Sequence, residues 1–278
     1  MIVPESEFPS LVSEYPLTPE QIAQYQRDGH ICLRGVLSPE EVAPFRTSIR
    51  AAVLRESAEV RPLKERDTYG KAFLQVMNLW TKEDGVQQFV RGRRLAQIAS
   101  RLMGVDGVRL YHDQALFKEP GGGYTPWHQD QTYWPLETTH TITLWMPLVD
   151  VPADVGSMTF ASGSHLRQWI TDERISDASE AFFDQYIKTE QLKTVYYGAM
   201  RAGDATFHSG WTLHQAKGNP TETMREVMTV IYMEDGVKIC TAETVSGREA
   251  DLQWMPGCGL GELAASPLNP VLYSEADR

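Results

Sequence analysis

From residue 108 onward, apolar side chains recur at every second position in short runs, a period that suits strands and not helices. Residues 108–119 alternate in this way. Residues 139–149 do so more cleanly, with Ile142, Leu144, Met146 and Leu148 facing one side and Thr141, Thr143 and Trp145 the other. Residues 156–161, 194–197, 204–208 and 225–234 are further strand candidates. Between them lie turn signals such as Glu119-Pro120-Gly121-Gly122-Gly123, Arg201-Ala202-Gly203 and Gly218-Asn219-Pro220. Many short strands separated by turns predict a sandwich or barrel. One helical insertion is expected at residues 179–190, and the Gly- and Pro-containing segment after Ser246 is expected to wrap the surface.

The first third has a different period. Thr18-Pro19-Glu20 reads as a helix start, with proline in the first turn. Ser38-Pro39-Glu40-Glu41 is a stronger start, because Ser38 and Glu41 form a capping box. Val42, Phe45, Ile49 and Val53 then follow at helical spacing. A further helix is predicted over residues 93–103, with Leu95, Ile98 and Leu102 inward and Gly104 as its stop. Residues 61–67 read as a solvated charged loop, and residues 71–80 are ambiguous. With 278 residues, the expectation is one domain spanning 1–278: a helical part at about 18–105, a β core at about 107–240 and a C-terminal surface segment.

Composition excludes some partners. Against 37 acidic residues stand 26 basic ones, a formal net charge of -11. Such a chain repels nucleic acid and anionic lipid at long range, so no nucleic-acid or membrane partner is expected. Cys32, Cys240 and Cys258 are far apart and odd in number, which speaks against a disulfide framework or a cysteine metal site. Residues 1–10 lack the pattern of a secretory signal, and no stretch approaches the roughly 20 apolar residues of a membrane helix. The expected location is the cytoplasm.

The chemistry starts at Pro126-Trp127-His128-Gln129-Asp130. In extended chain, His128 and Asp130 would offer an imidazole nitrogen and a carboxylate oxygen on one side. An HxD pair alone is as well explained by a polar turn. His214, in Trp211-Thr212-Leu213-His214-Gln215, changes the weighing. Two histidines and one carboxylate make the facial triad of non-haem iron(II) oxygenases, which leaves the opposite face of the ion open. Arg225 lies eleven residues after His214. Its guanidinium fork would suit the distal carboxylate of 2-oxoglutarate, although a lone arginine is more often a surface group.

The ordered set His128-x-Asp130, His214 and Arg225 resembles the phytanoyl-CoA dioxygenase family of Fe(II)/2-oxoglutarate oxygenases. So does the wording around it: residues 114–123, Gly156-Ser157, Gly163-Ser164-His165 and His208-Ser209-Gly210-Trp211. The likeness runs from about Thr18 to Leu268-Asn269-Pro270. It implies a mainly β fold with flanking helices, built on a double-stranded β-helix (a jelly roll, cupin-like). It implies iron held by His128, Asp130 and His214, with 2-oxoglutarate and O2 as co-substrates and Arg225 on the distal carboxylate. Gln114 matches a position that donates to the co-substrate, and Trp145 an aromatic lining the site; Thr159 is a weaker pocket position. Ala216 stands where relatives carry a hydroxyl, and Val155 where many carry Asn.

Around the HxD pair, Trp127, Gln129, Tyr133 and Trp134 are candidate walls of a substrate pocket, with core packing the competing reading. Gly121-Gly122-Gly123 reads as a flexible loop bordering the entrance. His112 and His208 read as satisfied core histidines, with a role beside the ligands as the alternative. His165 is expected to bond across a loop, and His30 and His140 to be incidental. Asp204 reads as a turn residue.

The reaction expected from the triad and Arg225 is hydroxylation of an unactivated C–H bond in a small-molecule metabolite. Epimerisation, desaturation or ring closure stay open, because they share the same oxidant. Halogenation would need the coordination position that Asp130 fills. A non-catalytic jelly-roll binding module and a cupin-type hydrolase or isomerase are the competing classes. The substrate and the oligomeric state are left open.

Overall fold

The computed structural model describes residues 8–277; most of the stretch read for a secretory signal, residues 1–7, lies outside the described residues. Six helices are described: α1 (Pro19–Asp28), α2 (Pro39–Glu56), α3 (Thr68–Ala72), α4 (Asp84–Val90), α5 (Arg93–Met103) and α6 (Asp177–Thr189). The strands are β1 (His30–Leu33), β2 (Leu74–Met77), β3 (Gly107–Phe117), β4 (Thr125–His128), β5 (Thr141–Pro147) and β6 (Met158–Ala161). They continue with β7 (Thr194–Tyr196), β8 (Ala205–Ser209), β9 (His214–Ala216), β10 (Val227–Glu234) and β11 (Val271–Ser274).

The helix ends follow their local chemistry. Thr18 and Ser38 each accept a hydrogen bond from the third residue onward, and Gln21 and Glu41 reach back to close the box, a device worth about 1 kcal/mol per cap. The two starts carry proline in their first turn. Gly104 ends α5 in the left-handed conformation, at φ 73°, where a glycine costs least.

The strands form two antiparallel sheets. The larger runs β1-β8-β5-β10-β3-β11, with β2 also pairing β3; the smaller runs β4-β9-β6-β7. Leu144, Met146, Phe207, Met228 and Val230 pack from the larger sheet onto Phe45, Ile49, Phe89 and Ile98 of α2, α4 and α5. Each such fully buried side chain contributes about 1.5–3 kcal/mol through removal of its surface from water. β5 is buried on both faces, because its second face, Thr143 and Trp145, turns toward the smaller sheet and a cavity between the two. This is the mainly β, helix-flanked jelly-roll architecture that the sequence led one to expect. Among the described residues, no helix is long and apolar enough to cross a membrane.

Three local expectations need correction. Residues 61–67 are not a purely solvated loop: Arg66 is 6% exposed and pairs with Glu119. The HxD pair does not sit in one extended run, because β4 ends at His128 and Asp130 opens a 3-10 turn, Asp130–Thr132. The segment after Ser246 does more than wrap the surface. It lends Ala250, Asp251, Gln253 and Trp254 to the cavity and supplies β11 to the larger sheet. The ambiguous stretch 71–80 resolves into the end of α3, the edge strand β2 and a 3-10 turn, Leu79–Thr81. The three cysteines are free.

Candidate metal centre and co-substrate pocket

β4 and β9 are neighbours, with His128 opposite His214 in the register. The pairing brings the two imidazoles to 4.1 Å between centroids, tilted by 56°. Asp130 follows after the turn begins, and its Oδ1 lies 3.4 Å from His128 Nε2 and 3.7 Å from His214 Nε2. One ligand atom from each of the three residues lies within 4.8 Å of the others. The spacing fits three donors to one ion.

The tautomers are fixed by the backbone. His128 Nδ1 is 2.7 Å from the Pro126 carbonyl and His214 Nδ1 is 2.9 Å from the Thr212 carbonyl. A carbonyl only accepts, so each Nδ1 carries the proton and each Nε2 presents its lone pair to the centre. Burial, reinforced by His128 and His208, pushes His214 well below the ordinary imidazole value and keeps it neutral. Burial pulls Asp130 upward, but the surrounding imidazoles, His214 first and then His128 and His208, outweigh it and hold the carboxyl well below the usual range. Two neutral imidazoles and a carboxylate suit a divalent iron ion, and no cysteine stands near enough to favour zinc.

His208, read from sequence as a satisfied core histidine, is part of this site. Its Nε2 lies 3.4 Å from Asp130 Oδ2, which also accepts from Thr143 Oγ1 at 3.3 Å. His208 Nδ1 is buried without a partner, as is His112 Nδ1. Thr143 and His208 orient the carboxylate, and both histidines line the cavity; the strand pattern contained the histidines but gave no sign that they turn inward.

The cavity measures ≈ 630 Å³. At one end lies Arg225, 3% exposed. It precedes β10 and is pinned by a bridge in which its backbone exchanges hydrogen bonds with Lys118. Nη1 donates to the Gly156 carbonyl at 2.6 Å, and the guanidinium lies over the Trp145 ring at 5.4 Å. Among the described residues it pairs with no carboxylate, and Nε has no partner. Burial lowers its pKa to about 9. A buried cation facing a cavity without a counter-charge calls for an anionic ligand. Gly156, at φ +58°, makes the approach possible, since a Cβ there would stand 3.0 Å from Nη1.

Beside Arg225, the walls are Leu116, Trp145, Met158, Ala216 and Thr229. Gln114 also faces the cavity and accepts from Gln75 Nε2 at 2.8 Å, and Gln75 in turn accepts from Tyr69. Tyr133 and Trp134 line the opposite part. Trp127 and Gln129 do not line it. Trp127 packs with Phe183, Ile187 and Leu213, and the Gln129 amide is consumed by the Gln168 and Trp211 carbonyls. Both flank the HxD pair in sequence, but the backbone turns their side chains away. Thr159 also stays outside; its neighbour Met158 faces in. The Gly121–Gly123 loop is tied by backbone bonds to Asn219, Glu119 and Lys71.

The remaining candidates are structural. His30 bonds to Tyr197 and Ser162, His165 to the Gln26 carbonyl, and His140 to Glu234. Asp204 pairs with Arg34 and accepts from two backbone amides.

Known proteins resemble this chain in sequence and fold. The profile of the phytanoyl-CoA dioxygenase (PhyH) family matches residues 25–227. An ectoine dioxygenase of Nocardia farcinica is 28% identical over 233 residues, covering 77% of this chain and 76% of its own length. Among solved structures, the carbocyclase SnoK of nogalamycin biosynthesis superposes with a TM-score of 0.75 at 27% identity, over 93% of this chain and 97% of its own. The epimerase SnoN, solved with Fe3+, alpha ketoglutarate and nogalamycin RO, gives 0.75 and 27% over 91% and 98%.

Proposed function

Because this chain belongs to the phytanoyl-CoA dioxygenase family and is an Fe(II)/2-oxoglutarate-dependent oxygenase, we propose that His128, Asp130 and His214 hold its iron and that Arg225 binds the distal carboxylate of 2-oxoglutarate. The chain acts as one oxygenase domain on a small-molecule metabolite and hydroxylates a C–H bond. The observation that carries the assignment is Arg225: a buried guanidinium without a carboxylate partner, opening on the same cavity as the three ligands.

Iron, 2-oxoglutarate and dioxygen together supply the oxidation of an unactivated C–H bond, with succinate and CO2 as co-products. The chain supplies the rest. The Pro126 and Thr212 carbonyls keep both Nε2 atoms unprotonated. Thr143 and His208 fix one Asp130 oxygen, leaving Oδ1 for the ion. Trp145 and Leu116 dry the far end, so that the Arg225 charge acts in a low dielectric. Ala216 lines this end where relatives carry a hydroxyl, so the co-substrate here relies on Arg225, with Gln114 and Thr229 as the nearby polar groups.

Anaerobic titration with Fe(II) and then 2-oxoglutarate tests this. A visible charge-transfer band is expected, and it should vanish in Asp130→Ala; a band of equal strength in that variant sinks the assignment. A second reading, ring closure or epimerisation, is supported by the overlap with SnoK and SnoN over more than nine-tenths of the chain. Product mass separates them: one added oxygen for hydroxylation, two hydrogens lost for ring closure, no change for epimerisation.

A further inference from the structure

The end of the cavity away from Arg225 has its own chemistry. Tyr69, Tyr133, Trp134 and Trp254 give it aromatic walls, and Asp251 brings a carboxylate among them. Asp251 and Trp254 belong to the 3-10 segment Glu249–Trp254, beyond residue 227, where the family match stops. The three ligands and Arg225 lie inside that match, whereas Asp251 and Trp254 lie outside it.

Asp251 is held from below by a bulge. Along β3 the register with β10 jumps: Ile231 faces His112, while Tyr232 faces Leu110. Tyr111 is the extra residue. It leaves the alternation and joins Trp134 and Ile231 on the cavity side, the re-aiming that a bulge produces. Its hydroxyl donates to Asp251 Oδ2 at 3.2 Å. Among the described residues, the carboxylate pairs with no cation. Arg174 also lines this end, but its guanidinium lies over the Tyr133 ring at 4.5 Å and donates to the Gly247 carbonyl. One neighbouring polar atom, His112 Nδ1, is buried without a partner.

We propose, resting on the reading of the metal and co-substrate end given above, that Asp251 anchors a basic nitrogen and that the substrate is a ring-containing amine bound as its ammonium form. A carboxylate among aromatic faces recognises an ammonium group twice, through the ion pair and through the ring quadrupoles. The rings also accept the flat apolar body that carries the nitrogen. Burial has pushed the Asp251 carboxyl up to about 6 against the pull of the Arg174 charge, and since Arg174 makes no ion pair with it, a bound amine supplies the direct partner that the ionised group lacks. A carboxylate-bearing substrate would meet repulsion at the same point, and a neutral one would leave the acid unpaired.

Three probes with one ring system test this: tryptamine (cation), tryptophol (neutral) and indole-3-acetate (anion). Calorimetry at neutral pH, with and without anaerobic Fe(II) and 2-oxoglutarate, is expected to show tryptamine binding about tenfold tighter than tryptophol, with indole-3-acetate weakest. Asp251→Asn should bring tryptamine down to the level of tryptophol while leaving the visible Fe(II)/2-oxoglutarate band unchanged. No measurable binding of tryptamine, equal binding of the three, or a preference that survives Asp251→Asn overturns the proposal. If that variant does not fold, the wild-type series decides alone. Absence of the visible band strikes the metal assignment instead, and the amine series on the metal-free chain is still read separately.

Discussion

The two ends of the cavity are built differently. At the Arg225 end every wall is sheet or is tied to sheet: Leu116, Trp145, Met158, Ala216 and Thr229 sit on five strands, and Arg225 is clamped by Lys118 and Gly156. At the Asp251 end most of the chemistry stands on loops and a 3-10 turn, with Arg174, Tyr133, Asp251 and Trp254 outside any strand. Strand positions hold a reacting group to a fraction of an ångström, whereas loops change sequence without disturbing the fold. The difference teaches where the reaction is fixed and where specificity is free to vary. It also orders the expected effects of substitution.

The largest effect should come where the two ends meet. Asp130→Ala removes the only carboxylate in the donor set, and turnover should fall below detection with loss of the visible band. Arg225→Gln comes next and belongs to one end alone. Truncating a buried partner of a charged ligand costs about 2–5 kcal/mol, so 2-oxoglutarate binding should weaken by roughly 10²-fold. Tryptamine affinity should hold within about twofold, as expected for independent sites. If both affinities fall together, the two ends are not separate, and the comparison breaks.

Gly156→Ala should be milder. The backbone there is left-handed at φ +58°, and an added Cβ would stand 2.9 Å from the Lys217 carbonyl and 3.0 Å from Arg225. The conformation alone costs about 1–2 kcal/mol. Thermal unfolding should shift down accordingly, and 2-oxoglutarate should weaken severalfold as the guanidinium is displaced. An unchanged co-substrate affinity would show that Arg225 does not depend on this carbonyl for its place.

Legibility in the sequence follows the same division. The helix start at Thr18, the capping box at Ser38, the stop at Gly104 and the two-faced strand at residues 141–147 were readable, because local chemistry and period decide them. The ordered set His128, Asp130, His214 and Arg225 was readable as a pattern, and the fold brings all four to one cavity. What was not readable depends on the third dimension. Trp127 and Gln129 flank the ligands yet turn into the protein: Trp127 precedes His128 on β4 and so faces the other side, and Gln129 lies where that strand has ended. His208 reaches Asp130 only through the pairing of β8 with β5. Asp251 lies far along the chain in a segment without period, and nothing local marks it as a cavity residue.

The smallest effect tests the looser end. Tyr111→Phe removes one hydroxyl and keeps the ring in its cluster. One hydrogen bond to a half-buried carboxylate is worth about 1 kcal/mol, so tryptamine should weaken by about fivefold, with 2-oxoglutarate untouched. The direction with pH follows from the donor. Burial raises the Asp251 carboxyl to about 6, while the Tyr111 hydroxyl, the Trp254 indole N–H and the Arg174 charge pull it back. Removing the hydroxyl raises it further. The folded value already lies above the ordinary carboxylate value, so Asp251 favours the fold at low pH and that contribution is lost as pH rises through about 6. In Tyr111→Phe the loss should occur at higher pH, and tryptamine binding should need a higher pH to reach its plateau. A binding profile that does not move would mean that Tyr111 only packs, and that the bulge in β3 serves the core and not the ligand.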